Sequence, residues 1–234
     1  MTLLDVCRAL LRDPARLIES AEDPQRFAEI ASRLTAAILL SAGILGAVVG
    51  TYRGGSQVIF AALKMPLLVL VPLIVVLPAM GPLYRLADVP VSSRRLAAAG
   101  LASAARTSIL AAAAGPVLWL LYSVELDYHL SIVLLAALLI LTGLPGLAVL
   151  RLASPSRPLG PIVASAALMG LVLSQTGWLL RPFVVRPTAE ITVLRPVEGD
   201  ILSALGTSAM SSVGIYPDEF KLEPRGALGK SRDR

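Results

Sequence analysis

Five runs of this chain, residues 34–52, 63–84, 96–122, 130–150 and 160–180, are each apolar and long enough to cross a lipid bilayer, and together they fill nearly half of its 234 residues. A helix needs about 20 mostly apolar residues to cover a hydrocarbon core about 30 Å thick. Only helices and closed barrels satisfy their own backbone polar groups in lipid, and these runs lack the alternation of polar and apolar residues that marks a barrel strand. The expected fold is therefore an all-α membrane protein, a polytopic bundle of about five transmembrane helices. Residues 1–33 form an amphipathic N-terminal region, 34–181 the transmembrane domain, and 182–234 a tail outside the membrane with extended or β-like stretches. An apolar share of 56% against 16% charged residues supports this class, because a soluble fold needs more charge on its surface.

The N-terminal region carries Arg8, Arg12, Asp13, Arg16, Glu19, Glu22 and Asp23 without a continuous apolar core, so it does not read as a signal peptide. The first spanning helix is then expected to serve as an uncleaved anchor. Residues Leu3, Val6, Cys7, Leu10 and Leu11 recur at helical spacing, with Asp5, Arg8 and Arg12 on other faces. Such a helix lies in the cytoplasmic interface or packs on protein. Asp13-Pro14 and Asp23-Pro24 are stop-and-restart signals on either side of a second short helix through Leu17 and Ile18. Cys7 is the sole cysteine, which excludes an intrachain disulfide and a cysteine metal cluster.

Individual spans carry distinct marks. In the first, Gly46 and Gly50, with Gly54 one further step along, place small residues at four-residue spacing, the pattern that lets two helices approach closely. Internal packing and a dimer interface are the two readings of that pattern. Pro66, Pro72, Pro78 and Pro82 crowd the second span, and each removes a backbone donor and favours a kink. The third is long, opens after Arg94-Arg95 and contains Arg106 and Gly115-Pro116. A helix continuous from Leu96 carries Arg106 about 15 Å inward, where a charge normally faces protein or water. If residues 92–105 instead slide along the interface, Arg106 only snorkels to the headgroups. The fifth span ends with Gln175, Thr176, Trp178 and Arg181, the last two placed as an aromatic belt and a charged anchor.

Orientation follows from Lys and Arg. Arg8, Arg12, Arg16, Arg26 and Arg33 precede the first span, Arg85, Arg94 and Arg95 lie between the second and third, and Arg151 and Arg157 between the fourth and fifth. The opposite loops carry Arg53 and Lys64. Ten against two puts the N-terminus in the cytoplasm and, after five crossings, the tail outside. The tail's own eight basic residues run against this, although most of them lie far from the membrane.

The candidate chemistry is sparse. Glu125, Asp127 and His129 share a loop but lack the second histidine that would support a metal site, so a solvated acidic turn is expected and neither metal nor cofactor is assigned. The sequence contains no Walker loop, dinucleotide fingerprint or Ser-His-Asp set, and no Asp falls within a span. No catalytic residue is assigned, and the chain reads as a non-enzyme. A basic balance of +5 does not imply nucleic acid here, since the positions of the charges are those of a membrane topology.

Taken with the cytoplasmic amphipathic start, the five closely spaced spans, the fragment from Gly54-Gly55-Ser56-Gln57 to Pro66 and the proline-rich second span, residues 33–180 resemble the Yip1-type membrane proteins. The resemblance implies a non-enzymatic component of a bacterial inner membrane, acting on the bilayer or through other membrane subunits, with homo-oligomers among the options. It transfers no functional residue. Two functions follow as expectations: a scaffold or complex subunit working through helix packing, or a channel or transporter component using Arg106 beside the second helix, with Gln175 and Thr176 as further polar groups.

Overall fold

Side-chain caps set the start of the N-terminal helices. In the computed structural model, which describes residues 2–124, 127–154, 156, 159–180, 183 and 210, the Thr2 hydroxyl accepts from Asp5 N–H at 3.2 Å. The Asp5 carboxylate accepts in return from Thr2 N–H at 2.9 Å. This capping box opens α1 (Leu3–Arg12). Asp13 then caps α2 (Pro14–Ser20) and Asp23 caps α3 (Pro24–Gly50), each with a proline at the helix start, where its missing N–H would be unpaired anyway. Val6 and Leu10 of α1 are fully buried, against α3 and the elements beside it. Of the two readings of the amphipathic face, packing on protein is the one realised. Helix α3 also begins ten residues before the apolar run, so the polar stretch 24–33 continues the first passage as helix.

The remaining elements are α4 (Gln57–Leu86), α5 (Ser93–Ala113), α6 (Gly115–Ser123), α7 (Tyr128–Leu150), a 3₁₀ turn at Arg151–Ala153, and α8 (Leu159–Leu180). Counting α5 with α6, five passages are long and apolar enough to cross a membrane, and the protein is an all-α, polytopic membrane bundle. The extended or β-like stretches expected of the tail fall outside the described residues.

Helix α3 lies against α4, α5, α6 and α1. Its crossing with α4 explains the glycines. A Cβ on Gly46 would meet the backbone of Ala61 and come to 2.8 Å from Ala62 Cα, and one on Gly50 would lie 2.7 Å from the Gln57 carbonyl oxygen. Both glycines therefore set an internal helix contact. Gly54 does not continue it. The helix ends at Gly50, and Gly54 occupies the following turn at φ +75° with open space around it, beside Gly55 at φ +60°. Its role is to reverse the chain, a left-handed conformation that glycine adopts without steric cost.

Prolines act differently in different helices. The four in α4 sit inside one unbroken element flanked by α3, α5 and α8, whereas Gly115-Pro116 divides the third passage. Pro116 cannot donate to the Ala112 carbonyl, and Gly115 before it weakens the helix further. The passage is thereby split into α5 and a short α6 that packs on α3, with Tyr122 edge-on to Tyr52 at 5.2 Å.

The bundle has two distinguishable ends. At one, Arg95 Nη1 reaches the Glu22 carboxylate at 2.8 Å, Arg94 Nη1 reaches the Glu22 carbonyl at 3.2 Å, and the 3₁₀ turn after α7 packs on α2 and α5. At the other, Gln57 Nε2 donates to the Phe183 carbonyl at 2.9 Å, joining the start of α4 to the chain just beyond α8. Helices α1 and α2 thus sit at one end, and Phe183 leaves from the other.

Candidate functional site

Helix α7 packs on α5 and helix α8 packs on α4, yet α7 and α8 barely touch each other. Between them lies a cavity of about 570 Å³, backed by α4 and α5. On α7 it is bordered by a stripe from Ile132 to Leu150 at helical spacing, and on α8 by small residues including Ala166, Gly170, Ser174 and Gly177. Gly143 and Gly170 face empty space, since a Cβ on either would meet nothing within 4 Å. The rim is apolar and open, with Ile140 67% and Leu144 58% exposed.

No charged or amide side chain lines the cavity among the described residues. Its polar groups are the hydroxyls of Ser103, Thr107, Ser165 and Ser174, and two of them are engaged by their own helices. Thr107 Oγ1 donates to the Ser103 carbonyl at 3.0 Å, and Ser174 Oγ donates to the Gly170 carbonyl at 2.8 Å. Ser165 differs: it is 1% exposed, lines the cavity, and its hydroxyl has no partner among the described residues. A buried hydroxyl without a partner costs about 1–3 kcal/mol, so a ligand acceptor there would recover that energy.

The residues marked by sequence do not converge on this cavity. Ala98, Ala99, Ala102 and Ala105 are at most 2% exposed, so 96–105 belongs to the packed passage and does not slide along an interface. Arg106 lies thirteen residues into α5, about 20 Å along it, but about 100° round the helix from the lining residue Thr107. It is half-buried, its Nε has no hydrogen-bond partner, and it makes no ion pair among the described residues. Gln175 is exposed, while Thr176 is buried and its hydroxyl donates to the Val172 carbonyl at 2.8 Å. Neither lines the cavity.

Trp178 departs from its expected place. At 8% exposure its ring is covered by protein and does not face lipid as a belt residue would. Arg181, its expected companion anchor, and Glu125 fall outside the described residues. Asp127 serves as the cap of α7, its carboxylate accepting from His129 N–H at 2.8 Å.

Two features went unmarked in the sequence. Lys64, counted there with a loop, is inside α4 and only 4% exposed, because α4 begins at Gln57, six residues ahead of the apolar run. The small residues of α5 and α8 at three- and four-residue spacing, Gly100, Ser103, Ala104 and Thr107 with Ala166, Gly170 and Ser174, could have signalled the cavity. Such stripes normally mark close packing, and here they border a space that no helix among the described residues fills. Compared with protein-family models, curated proteins and solved structures, the chain matches none.

Proposed function

We propose that this chain is a non-enzymatic membrane scaffold, or a subunit of a larger membrane complex, that works through helix packing and partner contacts. The observation that supports this reading is the chemistry of the cavity: its described lining is apolar side chains and hydroxyls, without a charge or amide along it. A route for ions or polar solutes needs groups that replace lost hydration, and these walls offer few. The bare outer faces of α7 and α8 fit a surface that meets lipid and other membrane helices. We place the chain in a bacterial inner membrane, N-terminus in the cytoplasm, as a Yip1-type component.

Crosslinking in native membranes, followed by purification in mild detergent, tests the reading. A second integral membrane protein, or a second copy of this chain, is expected in defined crosslinks to α7 or α8. A lone monomer free of crosslinks would overturn it.

Arg106 favours the second reading, a channel or transporter component, because a guanidinium about 20 Å along a spanning helix is costly without a purpose. On that reading Arg106→Ala abolishes solute flux in proteoliposomes. On the scaffold reading the variant leaves flux at the background of protein-free vesicles, as the unaltered chain does.

A further inference from the structure

We infer that the cleft between α7 and α8 is a binding site for one hydrocarbon chain of a bilayer glycerophospholipid, with the Ser165 hydroxyl donating to an ester oxygen of that lipid. The inference depends on the membrane class of the fold and not on the scaffold reading. Its volume, about 570 Å³, falls within the 300–1,000 Å³ of small-molecule sites. Along α7 the lining runs from Ile132 to Leu150, eighteen residues or about 27 Å at 1.5 Å per residue. A groove of that length with apolar walls has the shape of an extended hydrocarbon chain.

The walls match such an occupant. Leu135, Leu139 and Leu173 offer aliphatic contact, Met65, Met80 and Met169 are unbranched side chains that adapt to a flexible chain, and Gly143 and Gly170 leave the space open. No lining charge among the described residues would repel it or demand a counter-ion. Among the described lining residues Ser165 supplies the one unsatisfied buried donor, about 9 Å in from the start of α8, and thereby fixes which way the lipid enters: ester group toward the end that carries α1 and α2. The exposed rim at Ile140 and Leu144 gives lateral access from the bilayer.

The test uses the full chain in vesicles of phosphatidylcholine and phosphatidylglycerol doped with phosphatidylcholine bearing a photoactivatable diazirine in one acyl chain. After irradiation, adducts are expected to concentrate on α7 and α8 lining residues, at least tenfold over the equally lipid-exposed Ile74 and Leu120. Gly170→Phe, which fills the cavity without meeting backbone, should cut groove adducts tenfold with helicity and melting unchanged. Gly143→Phe repeats this from the opposite wall should the first variant misfold, and Ser165→Ala should cut them about threefold. Adducts spread evenly over all outer faces, groove labelling unmoved by both Phe variants, or a protein crosslink through the groove in place of lipid would each overturn the inference.

Discussion

Among single residues, Gly46, Gly54 and Asp88 show how similar requirements are met differently. Gly46 is set by space and Gly54 by backbone conformation, so their substitutions should separate. Gly46→Leu drives a branched side chain into the Ala61 backbone and should cost at least about 2 kcal/mol, disrupting the α3–α4 hairpin. Gly54→Ala, with nothing to strike but a left-handed φ, should cost about 1 kcal/mol. Asp88 holds the same kind of conformation at φ 54°, where α4 closes with Val89 N–H bonded to the Tyr84 carbonyl at 3.0 Å. Glycine is the usual residue at that point of a helix end, so Asp88→Gly should stabilise by up to about 1 kcal/mol. Equilibrium unfolding of each variant in detergent micelles checks all three; equal losses for Gly46→Leu and Gly54→Ala would contradict the geometry. The sequence displayed all three residues, but spacing alone aligned Gly54 with Gly46 because it does not show that α3 stops at Gly50. The same limit applies to Trp178, whose position near a span end is visible in the sequence and whose burial is not.

At the level of whole elements, hydrophobic length was legible and ends were not. Helices α3 and α4 both outrun their apolar runs, since capping by Asp23 and burial of Gln57 extend a helix beyond where hydropathy falls. The N-terminal pair is an attached unit with a testable joint. Leu10 is fully buried, and a lone carboxylate there would cost several kcal/mol, enough to release α1. Leu10→Asp should raise amide exchange over 3–12 by roughly tenfold or more while leaving α4 and α5 protected. Burial raises the Cys7 thiol above its ordinary pKa, so its alkylation at neutral pH is slow in the docked helix and should quicken in that variant. Acid acts on the same helix. The hydrogen bonds from Thr2 hold the Asp5 carboxyl below its usual range. That contribution is fully present above the unfolded value near pH 4 and is lost as pH falls through the lower folded value. Exchange in α1, corrected for its intrinsic rate, should therefore quicken only below about pH 4; a change between pH 7 and 5 would exclude Asp5 as the cause.

For the molecule as a whole, the sequence carried the class and the number of passages, but the cleft depends on which helices are neighbours. Helix α7 follows α6 and precedes α8, yet it packs on α5, and only that arrangement leaves the space facing Ser165. Placing Lys64 inside the bundle also sharpens the charge argument. With Lys64 withdrawn from the loops, Arg53 alone remains on the turns that join helices at the Gln57 end, against ten arginines in the segments of the opposite end; the tail's eight basic residues stay outside this count. The imbalance predicts that the end carrying α1 and α2 faces the cytoplasm. In a Cys7→Ser background, single cysteines at Ser56 and Ser123 should react in intact cells with a membrane-impermeant maleimide, and those at Ala87 and Ser156 only after permeabilisation. Because Phe183 is bonded to Gln57, a cysteine at position 183 should follow the Ser56 group. The reverse pattern would invert the orientation and leave the bundle intact. Labelling of positions 56 and 87 from one side would be incompatible with α4 crossing the membrane, and with it the alternation that brings α4 and α8 together at Gln57 and Phe183.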